Sequence, residues 1–252
     1  MSEARRQLFD RWAESYDESL DRESGFPFEG YERVLGLIVE RAKLEPGMEV
    51  LDLGIGTGNL AGRLLERGCD VWGLDFSLQM LAKVRAKYPQ IELLKADIRG
   101  DWPIDVDRRF DRVVSAYVLH EFDLDSKVRL LDKLARQHLV DSGLIVVGDI
   151  SFPTAGERDE ANKLYLGDWD EEKQTWKDGI WDEDEHYWAT DEATEALAAA
   201  INSAGDVAVT PMQFGDDFII RVSVGQSYTE AEHVDRLWSL IDEHTPMTQE
   251  EQ

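Results

Sequence analysis

Three glycines at alternate positions, Gly54, Gly56 and Gly58, stand in the run Asp52-Leu53-Gly54-Ile55-Gly56-Thr57-Gly58-Asn59. Glycines so spaced let a main chain turn sharply and let a ligand approach its N–H groups closely. The dinucleotide fingerprint is G-x-G-x-x-G. Asn59 occupies the place of its third glycine, so this loop is G-x-G-x-G instead. Asp75 follows Gly54 by about 20 residues, a spacing at which a carboxylate can accept from both hydroxyls of a ribose. Asp97, further on, can accept from an adenine amino group. Singly, each acid reads more simply as a helix cap. Together, a glycine loop and two acids on one edge of a parallel sheet describe an adenosine site.

That geometry needs a sheet, and the chain reads as one. Residues 49–54 (EVLDLG) read as a strand, and 60–67 as a helix with Leu60, Leu64 and Leu65 on one face, stopped by Gly68. Residues 70–75 are the second strand. Ser77 can cap a helix carrying Met80, Leu81, Val84 and Tyr88 at helical spacing. Residues 91–97, 110–118 and 144–150 read as the third, fourth and fifth strands, with an amphipathic helix over 126–139. Strands alternating with helices imply a parallel sheet covered on both faces. Beyond Ser151 the pattern changes. Residues 154–188 are rich in charge and carry Trp169, Trp176, Trp181 and Trp188, and 190–204 read as a helix. Residues 206–214 and 217–224 read as an antiparallel hairpin turning at Gly215-Asp216, with Pro211 marking an edge strand or bulge. Thr229 with Glu232 opens a last helix to Ile241.

Composition excludes other classes. Asp and Glu number 53 against 27 Lys and Arg, a formal charge of -26. Such a surface repels nucleic acid and anionic lipid, and it also fits adaptation to high salt. No apolar run approaches the roughly 18 residues that span a bilayer. The first residues hold no apolar secretory core, so the expected location is the cytoplasm. The single cysteine, Cys69, allows no disulfide framework, and no cluster shows metal-ligand spacing.

Residues 49–58, 73–77 and 96–98 resemble the first three motifs of class I S-adenosylmethionine-dependent methyltransferases. The N-terminal Phe9-Asp10-Arg11-Trp12-Ala13-Glu14-Ser15-Tyr16-Asp17 resembles the F-D-x-x-A-x-x-Y-D segment of their small-molecule, quinone-biosynthesis-like branch. The resemblance covers residues 9 to 225 and is specific over the first half. It implies a Rossmann-like α/β fold, a seven-stranded sheet of order 3-2-1-4-5-7-6 with the last strand antiparallel. It implies S-adenosylmethionine (SAM) as cofactor and S-adenosylhomocysteine (SAH) as product. Carried over by position, Gly54 and Gly56 line the methionine part, and Ile55 between them is also cofactor-binding. Asp75 holds the ribose and Asp97 the adenine amine. Phe76, Met80 and Ile98 enclose the adenine, Ala116 offers backbone contact, and Tyr16 closes from an N-terminal lid. Phe76 and Met80 read equally well as helix–sheet core.

Methyl transfer from a sulfonium is an in-line displacement in which the protein supplies alignment and a dry pocket. A base helps when the acceptor is a hydroxyl, thiol or protonated amine. After the fourth strand, His120 is the candidate base, or else a cap of the following turn. Tyr117, Glu121 and Tyr187 are candidate substrate contacts. The [DN]-P-P-[YF] signature of amino-methylating nucleic-acid and protein-glutamine enzymes is absent, and the resemblance to the small-molecule branch implies a small-molecule acceptor. Residues 1–226 are expected to form one domain, with 1–30 as lid and 154–190 as an acceptor-side insertion. Residues 227–252 form a last helix and tail, whose Trp238 either packs back or joins two copies in a homodimer. Two rivals remain: a SAM- or SAH-binding module without turnover, and a nicotinamide-dependent oxidoreductase. The missing third glycine, Asp97 and the terminal hairpin count against the oxidoreductase.

Overall fold

The computed structural model describes residues 7, 9–11, 13, 16–17, 30–100, 102–103, 108–152, 154–165, 168–170, 175–177, 189–190, 210–214 and 217–221. The chain divides into two compact units, Met1–Leu119 with Arg129–Asp149, and His120–Val128 with Ile150–Gln252.

The first unit is built on β1 (Glu49–Leu53), β2 (Asp70–Asp75), β3 (Glu92–Lys95), β4 (Phe110–Ala116) and β5 (Leu139–Gly148). They form one sheet of order β3-β2-β1-β4-β5, with every pair parallel. A parallel strand in the middle of such a sheet is buried on both faces, which is why β1 reads as a near-continuous apolar run. Three helices, α1 (Tyr31–Arg41), α2 (Asn59–Glu66) and α3 (Leu78–Lys87), supply one layer. Their Leu35, Ile38 and Val39, Leu60, Ala61 and Leu64, and Leu81 and Val84 pack in one core with Val50, Val71 and Val114 of the sheet. Leu35, Leu64 and Val84 are fully buried, and burying a side chain of this kind contributes about 1.5–3 kcal/mol. Ser77 caps α3 as expected, its hydroxyl accepting from Met80 N at 3.2 Å.

Several boundaries differ from the sequence reading. β3 ends at Lys95, so Asp97 lies in the turn beyond the strand rather than at its end. β4 ends at Ala116, and Tyr117 turns into the left-handed region at φ 57°. The helix expected over 126–139 is α4 (Leu124–Lys133), which continues as a π-type turn over Leu134–His138. β5 therefore begins earlier than expected. Its continuous pairing with β4 still starts at Leu144, because the register breaks between Phe110 and Arg112. α1 adds an element beyond those anticipated.

In the second unit a 3₁₀ turn covers Leu119–Glu121, shared at its start with the first unit. β6 (Ser151–Phe152) pairs parallel with β9 (Ala189–Thr190). Thr154 caps α5 (Ala155–Tyr165): its Oγ1 accepts from Glu157 N at 3.2 Å and donates to Glu157 Oε2 at 3.1 Å. β7 (Asp168–Asp170) and β8 (Thr175–Lys177) form a short hairpin. β10 (Thr210–Phe214) and β11 (Asp217–Arg221) form the expected antiparallel hairpin with shorter strands. Among the described residues it is a two-stranded sheet of its own. The helices expected over 190–204 and 229–241 lie outside the described residues. No helix among the described residues is long and apolar enough to cross a membrane.

Candidate active site

The glycine loop leaves β1 and enters α2 through three left-handed residues, Gly54 at φ 71°, Gly56 at φ 53° and Gly58 at φ 88°. The N–H groups of Gly54 and Ile55 both donate to the Leu74 carbonyl, at 2.8 and 3.1 Å, which ties the loop to the end of β2. A Cβ on Gly54 would overlap Val118 Cγ2, whereas one on Gly56 would meet nothing nearer than the Gly54 carbonyl at 3.9 Å. One side of the loop is thus closed by protein, and the other is open main chain. The Ile55 side chain is buried against Gly73. Gly54→Ala should destabilise the protein by about 1–3 kcal/mol, from left-handed strain plus the clash. Gly56→Ala should cost less, about 1–2 kcal/mol, from strain alone. Urea unfolding midpoints measure both, and an unperturbed Gly54→Ala would contradict the packing of Val118.

Asp75 sits beside this loop and is 6% exposed. Its Oδ2 accepts from Gly56 N at 3.0 Å and its Oδ1 from Ser77 N at 2.8 Å. The Phe76 N–H also bonds this carboxylate, so of its roughly four acceptor positions three are taken and one is left for a further donor. Burial pushes its pKa up to about 6, against the lowering effect of those backbone N–H groups, and the charge of Asp10 adds to the rise. Asp52 is 1% exposed, and its Oδ2 is buried without a hydrogen-bond partner. Burial first, and the nearby Asp75 charge second, push its pKa up to about 8. Strand alternation and the pairing of Asp52 with Gly73 and Val114 put it on the helix-covered face that holds Val50. An acid inside a two-sided buried strand was the available signal for this residue, which the spacing argument passed over.

Asp97 is tied to its own turn. Its Oδ1 accepts from Arg99 N at 3.1 Å and Nε at 3.3 Å, and its Oδ2 from Arg99 Nη2 at 3.4 Å. Burial alone would raise its pKa, but the Arg99 hydrogen bonds and charge hold it below the ordinary carboxylate range. Met80 and Ile98 are buried and Phe76 half-buried. Ala116 and Tyr117 are half-buried at the end of β4, where the Tyr117 ring stacks on Tyr31 with centroids 5.3 Å apart.

The N-terminal residues reach the same edge. Phe9 meets Phe76 edge-on at 5.4 Å, and Asp10 accepts from the Ser77 hydroxyl at 2.5 Å. Asp17 accepts from the Thr57 hydroxyl at 2.6 Å, from Asn59 Nδ2 at 3.4 Å and from Lys87 Nζ at 2.5 Å. Tyr16 shares a hydrogen bond with Tyr31. Burial, then the neighbouring Tyr31, Tyr117 and Asp17, push its phenol well above the ordinary range. Asp10 and Asp17 stand in the quoted N-terminal motif without an expected role, and Tyr31 and Lys87 were not anticipated from the sequence.

Tyr16, Gly54, Ile55, Gly56, Asp75, Phe76, Met80, Asp97, Ile98, Ala116 and Tyr117 all belong to the first unit. His120 and Glu121 belong to the second unit. Both are buried, with His120 Nε2 at 3.4 Å from Glu121 Oε1. Tyr187 lies outside the described residues. No group of acids, histidines and cysteines able to hold a metal occurs among the described residues.

A family model described as a methyltransferase domain matches residues 50–143, which run from β1 into β5. An uncharacterized methyltransferase of Alkaliphilus oremlandii is 35% identical over 162 residues, 63% of this chain and 73% of the relative. Another, of Geobacillus kaustophilus, is 36% identical over 149 residues, 58% of this chain and 66% of the relative. The structure of DhpI with SAH is similar in fold, with a TM-score of 0.61 at 19% identity, over 89% of this chain and 97% of that one. With a glycine loop, a rim acid and a five-stranded parallel sheet already in place, the family model and the Alkaliphilus relative identify the family: the chain belongs to the methyltransferases.

Proposed function

We propose that this protein transfers the SAM methyl group to a small-molecule acceptor by in-line displacement, in the cytoplasm, and that the rim of the first unit holds the cofactor. One observation carries the placement: the glycine loop with its open side and the buried Asp75 are joined by the Gly56–Asp75 hydrogen bond. The residues fit a cation-bearing nucleoside. Asp75 keeps an acceptor position for a ribose hydroxyl. Asp52 has a buried oxygen without a donor, which an ammonium group would satisfy. Gly56 leaves space against the main chain. When bound, SAM supplies an electrophilic methyl group on a sulfonium.

In this reading Gly54, Ile55 and Gly56 line the methionine part. Asp97 accepts from the adenine amine, and Phe76, Met80 and Ile98 flank the ring. Ala116 contributes main-chain contact. Tyr16 and the rest of residues 1–30 form the lid over the cofactor carboxylate. His120 takes the acceptor's proton, and Tyr117, Glu121 and Tyr187 orient the acceptor under residues 154–190. The antiparallel pairing of β10 with β11 supports the hairpin as sixth and seventh strands, in the order 3-2-1-4-5-7-6. Residues 1–226 then make one catalytic domain of the small-molecule branch. Residues 227–252 follow as a helix and tail that could serve a homodimer. The acidic surface, at -26, supports an acceptor other than nucleic acid.

Calorimetry tests the cofactor half: SAM and SAH bind, and NADH is inert. Asp75→Ala should lose about 1–3 kcal/mol of SAM binding from an unpaired ribose hydroxyl. Unchanged affinity places the ribose elsewhere. Labelled SAM incubated with a metabolite extract tests the acceptor half, since the label should move to a small molecule and not to RNA or DNA.

A further inference from the structure

The N-terminal residues make two separate landings on the rim. Phe9 and Asp10 land on Phe76 and Ser77, in the turn between β2 and α3. Asp17 lands on Thr57 and Asn59, where the glycine loop enters α2. Asp75 lies between these landings, bonded on one side to Gly56 and on the other to Ser77. One segment thus ties together the two walls that flank the rim carboxylate.

The second landing is the stronger. Asp17 Oδ1 takes the Thr57 hydroxyl and the Asn59 amide, while Oδ2 takes Lys87 Nζ. Lys87 Nζ also donates to the Thr57 carbonyl at 3.2 Å, so the pair grips both ends of one loop residue. Burial alone would raise the Asp17 carboxyl. The bonds from Lys87, Thr57 and Asn59 and the Lys87 charge outweigh burial and hold the pKa below the usual range, so the carboxylate is charged at neutral pH. The side chains are 34% and 44% exposed. Water and salt reach the pair, and its strength is of the modest, screened kind. A contact with three donors but an open outer face can hold a segment down and still release it on thermal fluctuation.

We propose that Asp17 and Lys87 are positioning residues, a latch that pins the N-terminal segment, and with it the adjacent Tyr16, across the rim and so sets how fast cofactor and product leave. This rests on the assignment of residues 1–30 as a lid over the cofactor. Neither residue needs to touch the cofactor, because each acts through the placement of the segment.

The test is SAH release from the full-length protein, followed by stopped-flow displacement with excess SAM. Lys87→Met and Asp17→Ala should each speed release by about tenfold, the scale of losing a charged hydrogen-bond cluster partly screened by water. Lys87→Arg, which keeps the charge and a donor, should release at nearly the wild-type rate. Raising salt from about 50 mM to about 1 M should speed the wild type and leave Lys87→Met unaffected. Hydrogen exchange in residues 9–17 of the SAH complex should quicken in Lys87→Met and not in Lys87→Arg. Equal release rates and equal exchange in all variants, with SAH still bound, overturn the latch and leave the cofactor site standing. Failure of the wild type to bind SAH overturns the cofactor site and the latch with it. Lys87 is at the exposed end of α3, so its variants remain informative even if Asp17→Ala loses stability.

Discussion

Asp52→Asn is expected to stabilise the cofactor-free protein and to weaken SAM binding, two effects of opposite sign from one buried carboxyl. Asp52 is 1% exposed, its Oδ2 lacks a partner, and its pKa is pushed from 3.8 up to about 8. The folded protein therefore holds a proton on Asp52 at pH values where the unfolded chain has lost it. Stability falls with pH wherever the native state binds more protons, so this group's contribution is complete below 3.8 and is lost as pH rises through about 8. Asp75, pushed up to about 6, adds to the fall over the lower part of that window. An amide at position 52 keeps the shape and removes the charge. Thermal unfolding of the cofactor-free variant should then depend less on pH, and at pH 8 and above it should occur at a higher temperature, by a few degrees. With cofactor the sign reverses. An ammonium supplied to Oδ2 favours the ionised carboxylate, so binding should release a proton below pH 8 and tighten as pH rises toward that value. Asp52→Asn should lose about 1.4–3 kcal/mol, a roughly 10–100-fold weaker affinity, together with the proton release. Calorimetry in two buffers of different ionisation enthalpy reads both. Binding that neither releases protons nor responds to Asp52→Asn would remove Asp52 from the cofactor site.

The parts of this site that were legible in the sequence are those encoded locally. β1 and β2 are runs that burial on both faces makes apolar. The glycine loop shows in its spacing, and the Ser77 cap shows in the residue type and the helical stripe behind it. What was missed has two physical origins. Some signals are local: α1, with Leu35, Ile38, Val39 and Ala42 at helical spacing, and the Thr154 N-cap of α5. Others are absent from any local window. Asp17 meets Lys87 across 70 residues of chain and Asp10 meets Ser77 across 67, so only the folded sheet brings them together. ELLKAD reads as a β run that would carry Asp97 at its end. Arg99 instead captures its carboxylate from both backbone and guanidinium and closes a turn. The positive φ of Tyr117 follows from an N–H bonded to the Gly148 carbonyl at 2.9 Å while its ring stacks on Tyr31, two long-range demands on one residue.

His120→Ala should lower the rate of methyl transfer by about 10²–10⁴-fold, the usual scale for a general base, while SAM affinity changes by less than about twofold. The expectation begins from position in the chain: His120 comes four residues after β4, the strand whose end supplies Ala116 to the proposed site. His120 is 7% exposed and stands in a 3₁₀ turn beside the equally buried Glu121, with Nε2 at 3.4 Å from Oε1. A carboxylate at that range can fix the orientation of an imidazole and stabilise the charge it gains on accepting a proton. On this view Glu121 acts through His120, and the two substitutions should differ in kind. Glu121→Gln should lower kcat by a smaller factor, about tenfold, with little change in acceptor KM. An intermediate result is also instructive. If His120→Ala loses acceptor binding and keeps kcat, the ring holds the acceptor without moving a proton. That pattern fits an acceptor that needs no deprotonation, such as a thiolate or an activated carbon. Full activity in His120→Ala would make the buried His120–Glu121 pair a structural element of the turn, and the search for a base would pass to Tyr117.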